Sequence, residues 1–476
     1  MNLYEIIHHS SSQWGDRPAV YDEYGMLTFR ELEEEIEQLT ASLKAHGVRK
    51  GNAIGVMARN SRQFIIGIFA GLGCEATVMP LSHQMKRSEI EQIVQEAGLH
   101  FLIDDKSSLF FLAPKAELPM KIGAFRFAET GVPQNGTFAP HILNPAFVRF
   151  TSGTTGKSKG VVVSHESVLE RIQAANKALQ LGSEDTVVWV LPMAYHFMVS
   201  IVLYIYYGTA IAIVKDFMAK TILEYANSCK GTLLYASPMH IRMLASDQSG
   251  VSMPTMKTVI STSAGVSLEA CVAFKERFGI DVSQAYGIIE IGLPIINQKK
   301  STEYPEAVGH ALPDYQVEIL DENNILLPPG YIGRLAIKGP GMFDGYLTPP
   351  RTKEEILNEG WFMTGDLASK TDTGLIKVEG REKSMINVSG NKVFPEEVEN
   401  VLNMHEAVAQ SKIFGNKHVL MGEIVEAKVV LNKGIEVTPE VLIAWCRQRL
   451  STYKVPQVIH FVSEIETTGS GKIVRH

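Results

Sequence analysis

The stretch TSGTTGKSKG, Thr151 to Gly160, concentrates glycines, hydroxyls and lysines in a way that suits phosphate. Backbone N–H groups of Gly153 and Gly156, the hydroxyls of Thr151, Ser152, Thr154 and Thr155, and the Lys159 ammonium can together surround an anion. A Walker A loop is excluded. That motif needs a glycine five residues before the Gly-Lys pair, where Thr151 stands, and it joins a strand to a helix. Here FVRF precedes and VVVSH follows, both apolar and rich in β-branched or aromatic residues, so the flanks predict strand, loop, strand. Such a loop suits a pyrophosphate that must later leave, although a polar surface hairpin would share its composition.

Three further stretches carry candidate chemistry. In QAYGIIEIG (Gln284–Gly292) the lone Glu290 sits among apolar residues, which is costly without a cation or a metal; a divalent ion on a triphosphate would satisfy it. In WFMTGDL (Trp361–Leu367) Asp366 follows a glycine turn and is followed by Arg381, a placement that can accept ribose hydroxyls. In TTGSGKIVRH, Lys472 stands on a glycine-rich tip with little bulk, free to swing into a distant site.

These stretches need a scaffold to position them. Helix and strand signals alternate along most of the 476 residues. Thr28 and Glu31 predict a capping box, followed by Leu32, Ile36, Leu39 and Leu43 on one helical face and a stop at Gly47. A second capping box is expected at Ser167 and Glu170, opening a helix that buries Val168, Ile172, Ala175 and Leu179. AIGVMA, TVVWVLP, TAIAIV, TLLYASP and KTVIST read as short buried strands of a parallel sheet covered by helices. After Leu312 turn residues and period-two strands predict a smaller β-rich subdomain. A polar, glycine-marked boundary at Gly380–Pro395 then leads to a compact α+β domain. The expected division is 1–382 and 383–476.

Bulk properties exclude several classes. Hydrophobic residues at 45% and charged residues at 20% are those of a globular protein. A net charge of -7 leaves no dominant basic field for nucleic acid. Phe64–Cys74 and Val199–Val214 are apolar but short and interrupted by glycine, so core elements are expected rather than membrane spans. The N-terminus carries no basic-then-apolar leader, and Cys74, Cys229, Cys271 and Cys446 form no CxxC pair; a cytoplasmic protein with reduced thiols is expected.

Taken in order, the four stretches resemble the adenylate-forming superfamily of acyl- and aryl-CoA ligases, peptide-synthetase adenylation domains and luciferases. The resemblance implies ATP and magnesium, and two half-reactions: a carboxylate forms an acyl-AMP with release of pyrophosphate, and a thiol then takes the acyl group. By the resemblance, Thr151, Ser152, Gly153, Thr154, Thr155 and Lys159 hold the β- and γ-phosphates. Tyr286 stacks on adenine, flanked by Gln284, Ala285, Gly287 and the Ala264, Gly265 and Val266 stretch. Asp366 and Arg381 hold the ribose, Glu290 the magnesium, and Lys472 the carboxylate and α-phosphate oxygens. Lys383 falls at the hinge of the mobile C-terminal domain, and Gly390 lines the thiol's approach. The chain departs from the pattern at Ile289, where a threonine hydroxyl would meet the α-phosphate; one hydrogen bond of roughly 1.5–3 kcal/mol is lacking. Ser158 replaces a proline, and Lys383 stands where Asp is commoner. A weakened or regulatory pseudoenzyme is therefore one alternative, and an amino-acid adenylation domain another.

Against the latter, LPMAYHFMVSIV (Leu191–Val202) has His196 and no acidic residue to pair an α-ammonium. Tyr195, His196, Phe197, Ser200, Gly265, Gly292, Leu293 and Pro294 are expected to line an apolar pocket, with His196 orienting an aliphatic or aryl acid. The chain ends four residues after Lys472. The thiol, coenzyme A or the phosphopantetheine of a separate acyl carrier protein, is therefore expected in trans.

Overall fold

The computed structural model describes residues 2–107, 112–134, 136–151, 159–262, 265–389, 391–418, 422–467 and 473–474, with the side chain of Thr151 excepted. The chain forms two compact units, Met1–Gln316 with Lys338–Gly360, and Val317–Ile337 with Trp361–His476.

In the first unit, among the described residues, two nine-stranded sheets carry the framework. One runs parallel through Val282–Ile288, Thr258–Ser261, Leu233–Ala236, Thr186–Trp189, Ala210–Ile213 and Pro18–Asp22. TVVWVLP, TAIAIV, TLLYASP and KTVIST supply its four central strands, which are buried nearly throughout, as a sheet covered on both faces requires, while AIGVMA lies in the second sheet. The other sheet is centred on Ala53–Ala58, Thr77–Ser82 and the hairpin Pro145–Thr151/Lys159–Ser164.

The apolar stretches are core elements. The helix Arg62–Gly73 buries every residue, which suits a helix that is hydrophobic all round. Its Arg62 meets Asp22 through Nε at 2.7 Å, the two side chains being 4% and 5% exposed. Among the described residues no helix is long and apolar enough to cross a membrane. The Thr28/Glu31 capping box opens Phe29–Ala45, and Leu32, Ile36, Leu39 and Leu43 are buried on its inner face. The second capping box is not formed as expected. The helix runs His165–Leu179, and Ser164 is its cap, accepting from Ser167 N. Glu170 instead accepts from Gly341 N at 2.9 Å, a tertiary partner that spacing alone does not reveal.

The second unit holds a four-stranded sheet ordered Gln316–Leu320, Gly333–Lys338, Phe362–Lys370 and Ile376–Arg381. It also holds a sheet built on Val408–His418 and Gly422–Leu431, packed by the helices Pro395–Asn403 and Pro439–Arg447 around a single apolar cluster.

Candidate active site

The two flanks of the glycine-hydroxyl stretch form an antiparallel pair in which Thr151 pairs with Lys159. Both flanks are strands as expected, and Lys159–Ser164 is a strand where a Walker A motif would continue as a helix. Strand alternation sends Val148 into one core, while Phe147 packs at 6.2 Å on Phe197 on the opposite face. Arg149 shares that face. Its guanidinium carbon lies 4.6 Å from the Tyr195 ring centre, and Nη1 donates to Tyr195 O at 2.6 Å.

The strand Val282–Ile288 presents Gln284, Ala285, Tyr286 and Gly287. Buried Gln284 is a bracket: its Nε2 donates to Pro305 O at 3.0 Å, and its Oε1 accepts from Val266 N at 3.3 Å, which holds the backbone at 265–267. Ser267 then caps the helix Leu268–Phe278. Gly287 has no room for a side chain, since a Cβ would lie 2.4 Å from Gly292 O.

Glu290 lies in the turn after this strand, and buried groups fix the turn. Phe343 N donates to Glu290 O at 2.7 Å. Arg171, 1% exposed on the helix His165–Leu179, donates through Nη1 to Ile289 O at 3.1 Å and through Nε to Gly341 O at 2.9 Å. The Tyr346 hydroxyl donates to Glu290 Oε1 at 3.4 Å, and the Lys159 ammonium lies 4.6 Å from the centre of the Tyr346 ring. Burial and then the Glu290 carboxylate push the Tyr346 phenol well up, so it remains a donor. Burial pulls the Arg149 and Arg171 guanidinium groups down to about 10, and the Glu290 charge opposes that shift in both. Both remain cationic at neutral pH. Glu290 thus already sits in the field of two guanidinium groups. A single carboxylate, with substrate phosphates supplying the other oxygens, also fits the donor set of magnesium.

Of the residues expected around an acid pocket, Ser200 and Leu293 meet at one small cavity. His196 stands edge-on to Trp189 and Tyr235, at 5.6 and 6.0 Å between ring centres. A narrow cavity beside it is lined by Leu179, Val199, Ser200, Leu203, Tyr204, Tyr235 and Leu293, of which Ser200 and Leu293 were anticipated. Phe197 belongs instead to an aromatic core with Phe64, Phe69 and Phe147, where its ring is 1% exposed. Tyr195 lies under Arg149.

In the second unit Asp366 and Arg381 face each other across paired strands, with Arg381 Nε 2.8 Å from Asp366 Oδ1. Asp366 is 4% exposed, and Arg381 Nη1 also donates to Thr364 O at 3.2 Å. Lys383 lies in the short turn Glu382–Ser384. Ser152, Gly153, Thr154, Thr155, Ala264, Gly390 and Lys472, with the side chain of Thr151, lie outside the described residues. Arg149, Arg171 and Tyr346 were not singled out from sequence, although an arginine inside the apolar run AFVRF was a signal that could have been used.

The α/β framework, followed by a β-rich subdomain and a small α+β module, is the architecture of the adenylate-forming superfamily. The model of the AMP-binding enzyme family matches residues 7–347 and that of its C-terminal domain residues 397–472; the chain belongs to this family. It is 28% identical to a long-chain-fatty-acid–CoA ligase of Yersinia pestis, over 100% of this chain and 93% of that protein. It is 27% identical to a 2-succinylbenzoate–CoA ligase of Geobacillus sp. (strain WCH70), over 97% and 94%. Its fold matches that of o-succinylbenzoate CoA synthetase from Bacillus subtilis in complex with its acyl-adenylate, with a TM-score of 0.86 at 22% identity, covering 98% and 96% of the two chains.

Proposed function

We propose that the protein is an acid–thiol ligase. A carboxylate oxygen of a non-amino acid, aliphatic or aryl, attacks the α-phosphorus of ATP. The α–β phosphoanhydride bond breaks, and pyrophosphate leaves. A thiol then attacks the acyl carbon, AMP departs with the former carboxylate oxygen, and the thiol proton is released. Coenzyme A is the acceptor favoured by the names of the relatives; a carrier-protein phosphopantetheine would present the same thiol.

The observation that carries this reading is the hairpin closed by Thr151 and Lys159 beside the Glu290 turn. In it, Thr151, Ser152, Gly153, Thr154, Thr155 and Lys159 receive the departing phosphates, while Tyr286 with Gly265, Val266, Ala285 and Gly287 takes the adenine. Gln284 fixes the backbone beside it. Asp366 and Arg381 hold the ribose, Glu290 would hold magnesium, and His196 orients the acid. Magnesium, when bound, offsets charge on the phosphate oxygens. Lys472 on a domain hinged at Lys383 neutralises charge that builds during adenylation, and Gly390 borders the thiol path. The apolar lining around Ser200 and Leu293, without an acidic side chain among the lining residues, supports an uncharged acyl chain.

The test is acid-dependent exchange of labelled pyrophosphate into ATP, followed by transfer to coenzyme A and to a holo carrier protein. Lys472→Ala should lower exchange by on the order of 10²–10³ while thioester formation from pre-made acyl-AMP survives. Equal loss of both half-reactions would remove Lys472 from the role. Nucleotide binding without exchange by any acid would favour the pseudoenzyme, for which the apolar Ile289 is the specific observation.

A further inference from the structure

Arg149 has no role in the reaction as described above, yet its surroundings are those of an anion-binding group. It lies three residues before the 152–158 stretch, on the strand face that looks toward Tyr195 and Phe197. The side chain makes one hydrogen bond among the described residues, from Nη1 to Tyr195 O at 2.6 Å, and stacks on the Tyr195 ring. Its Nε is buried with no acceptor among the described residues. A buried donor left unmade is expensive unless a ligand supplies the acceptor.

The local charge balance points the same way. The carboxylates whose fields reach Arg149 or Arg171 are Glu290 and Asp344. Asp344 is already engaged by Lys353 at 3.3 Å and by Ser164 N at 2.6 Å. Glu290 accepts from the Tyr346 hydroxyl, and its charge reaches both arginines. The Lys159 ammonium over the Tyr346 ring adds a further cation to this face. The location of Arg149 narrows the choice. Tyr195 begins the segment whose next turns, through Val199, Ser200 and Leu203, line the apolar cavity. Arg149 is thus tied through Tyr195 to the segment that carries Ser200 and the other apolar lining residues.

We propose that Arg149 is a substrate-binding residue whose free N–H groups hold an oxyanion between Tyr195 and the Glu290 turn, and that this oxyanion is the carboxylate of the acid to be activated. The inference rests on the ligase reading and adds to it the group that places the nucleophilic carboxylate. The α-phosphate offers the same chemistry, and the two sources are separated by which substrate loses affinity.

The experiment is pyrophosphate exchange by the full chain, with straight-chain acids from acetate to palmitate and benzoate as probes, comparing wild type with Arg149→Met and Arg149→Lys. The Met variant should raise the KM for the acid on the order of 10–100-fold, as loss of a charge-assisted hydrogen bond implies, with the KM for ATP nearly unchanged. The Lys variant should fall between. An unchanged acid KM, or a rise confined to ATP, would overturn the proposal. Thermal melts accompany both variants, and if Met at 149 prevents folding the Lys variant decides by the same split. Wild-type protein that shows no acid-dependent exchange would overturn the ligase reading, and this role with it. Acid-dependent wild-type exchange with unaltered variants overturns the role alone.

Discussion

The Glu290 turn and the Asp366–Arg381 pair are both acidic positions beside glycines, yet they are held in opposite ways. The turn is clamped by backbone. Arg171 reaches two carbonyls on segments far apart in sequence, Phe343 N adds a third tie, and Gly287 and Gly341 leave no room at all. The pair lies within one pair of neighbouring strands, where Arg381 reaches Asp366 Oδ1 and Thr364 O, and a Cβ at the adjacent Gly365 would meet only Arg381 Nη1, at 3.8 Å. The contrast teaches where tolerance should lie. A position fixed by buried groups from several distant segments transmits any change into the framework, whereas one fixed within a single strand pair keeps the damage local.

The largest effect should come from Gly341→Ala. A Cβ there would lie 2.4 Å from Arg171 N and 2.6 Å from Ser167 O, at φ +64°, and neither backbone atom can yield without moving the helix. Denaturant titration should show about 3–5 kcal/mol lost, from overpacking and left-handed strain together. Gly365→Ala, with φ +75° but open space, should cost only about 1–2 kcal/mol. Equal losses would dissolve the comparison.

Next, Arg171→Met should destabilise the fold by about 2–4 kcal/mol, since two carbonyls lose their donor, and exchange should weaken with it. Asp366→Asn should do the reverse, raising the KM for ATP about 10-fold while the melting midpoint holds within a few degrees. A collapse in stability at Asp366 would place that strand pair in the framework class. The smallest effect is expected from Ile289→Thr. Arg171 bonds the backbone carbonyl at this position and not the side chain, so the turn should keep its shape. If a hydroxyl there reaches the α-phosphate, exchange should rise by up to about 10-fold. A fall would mean that the site has been packed around the isoleucine.

Much of the scaffold was legible because local rules and tertiary packing agree. The Thr28/Glu31 cap, the buried strands and the hairpin around 152–158 each follow from spacing and side-chain shape. The helix start at Ser164 was not, because Glu170 satisfies a capping pattern on paper but spends its carboxylate on Gly341 N, 171 residues away. The same reason hid Arg171 and Tyr346. An arginine on a helix reads as solvated until a second chain segment buries it, and a tyrosine becomes a donor to Glu290 only after distant strands pair. Phe197 failed in the other direction: its place beside His196 suggested a pocket wall, but three other phenylalanines absorb it.

The strand Lys159–Ser164 pairs on its outer side with Gly345–Tyr346, and the chain between them first leaves the unit at Val317 and returns at Lys338. On the ribosome, that valine-rich edge must wait for its partner. At about 5–20 residues per second the interval is roughly 10–40 s. Throughout it the nascent protein carries an open, apolar strand edge of the kind that recruits other chains. Its yield in a cell should therefore depend on translation speed and chaperone supply between residues 164 and 346 more than on the stability of the finished fold.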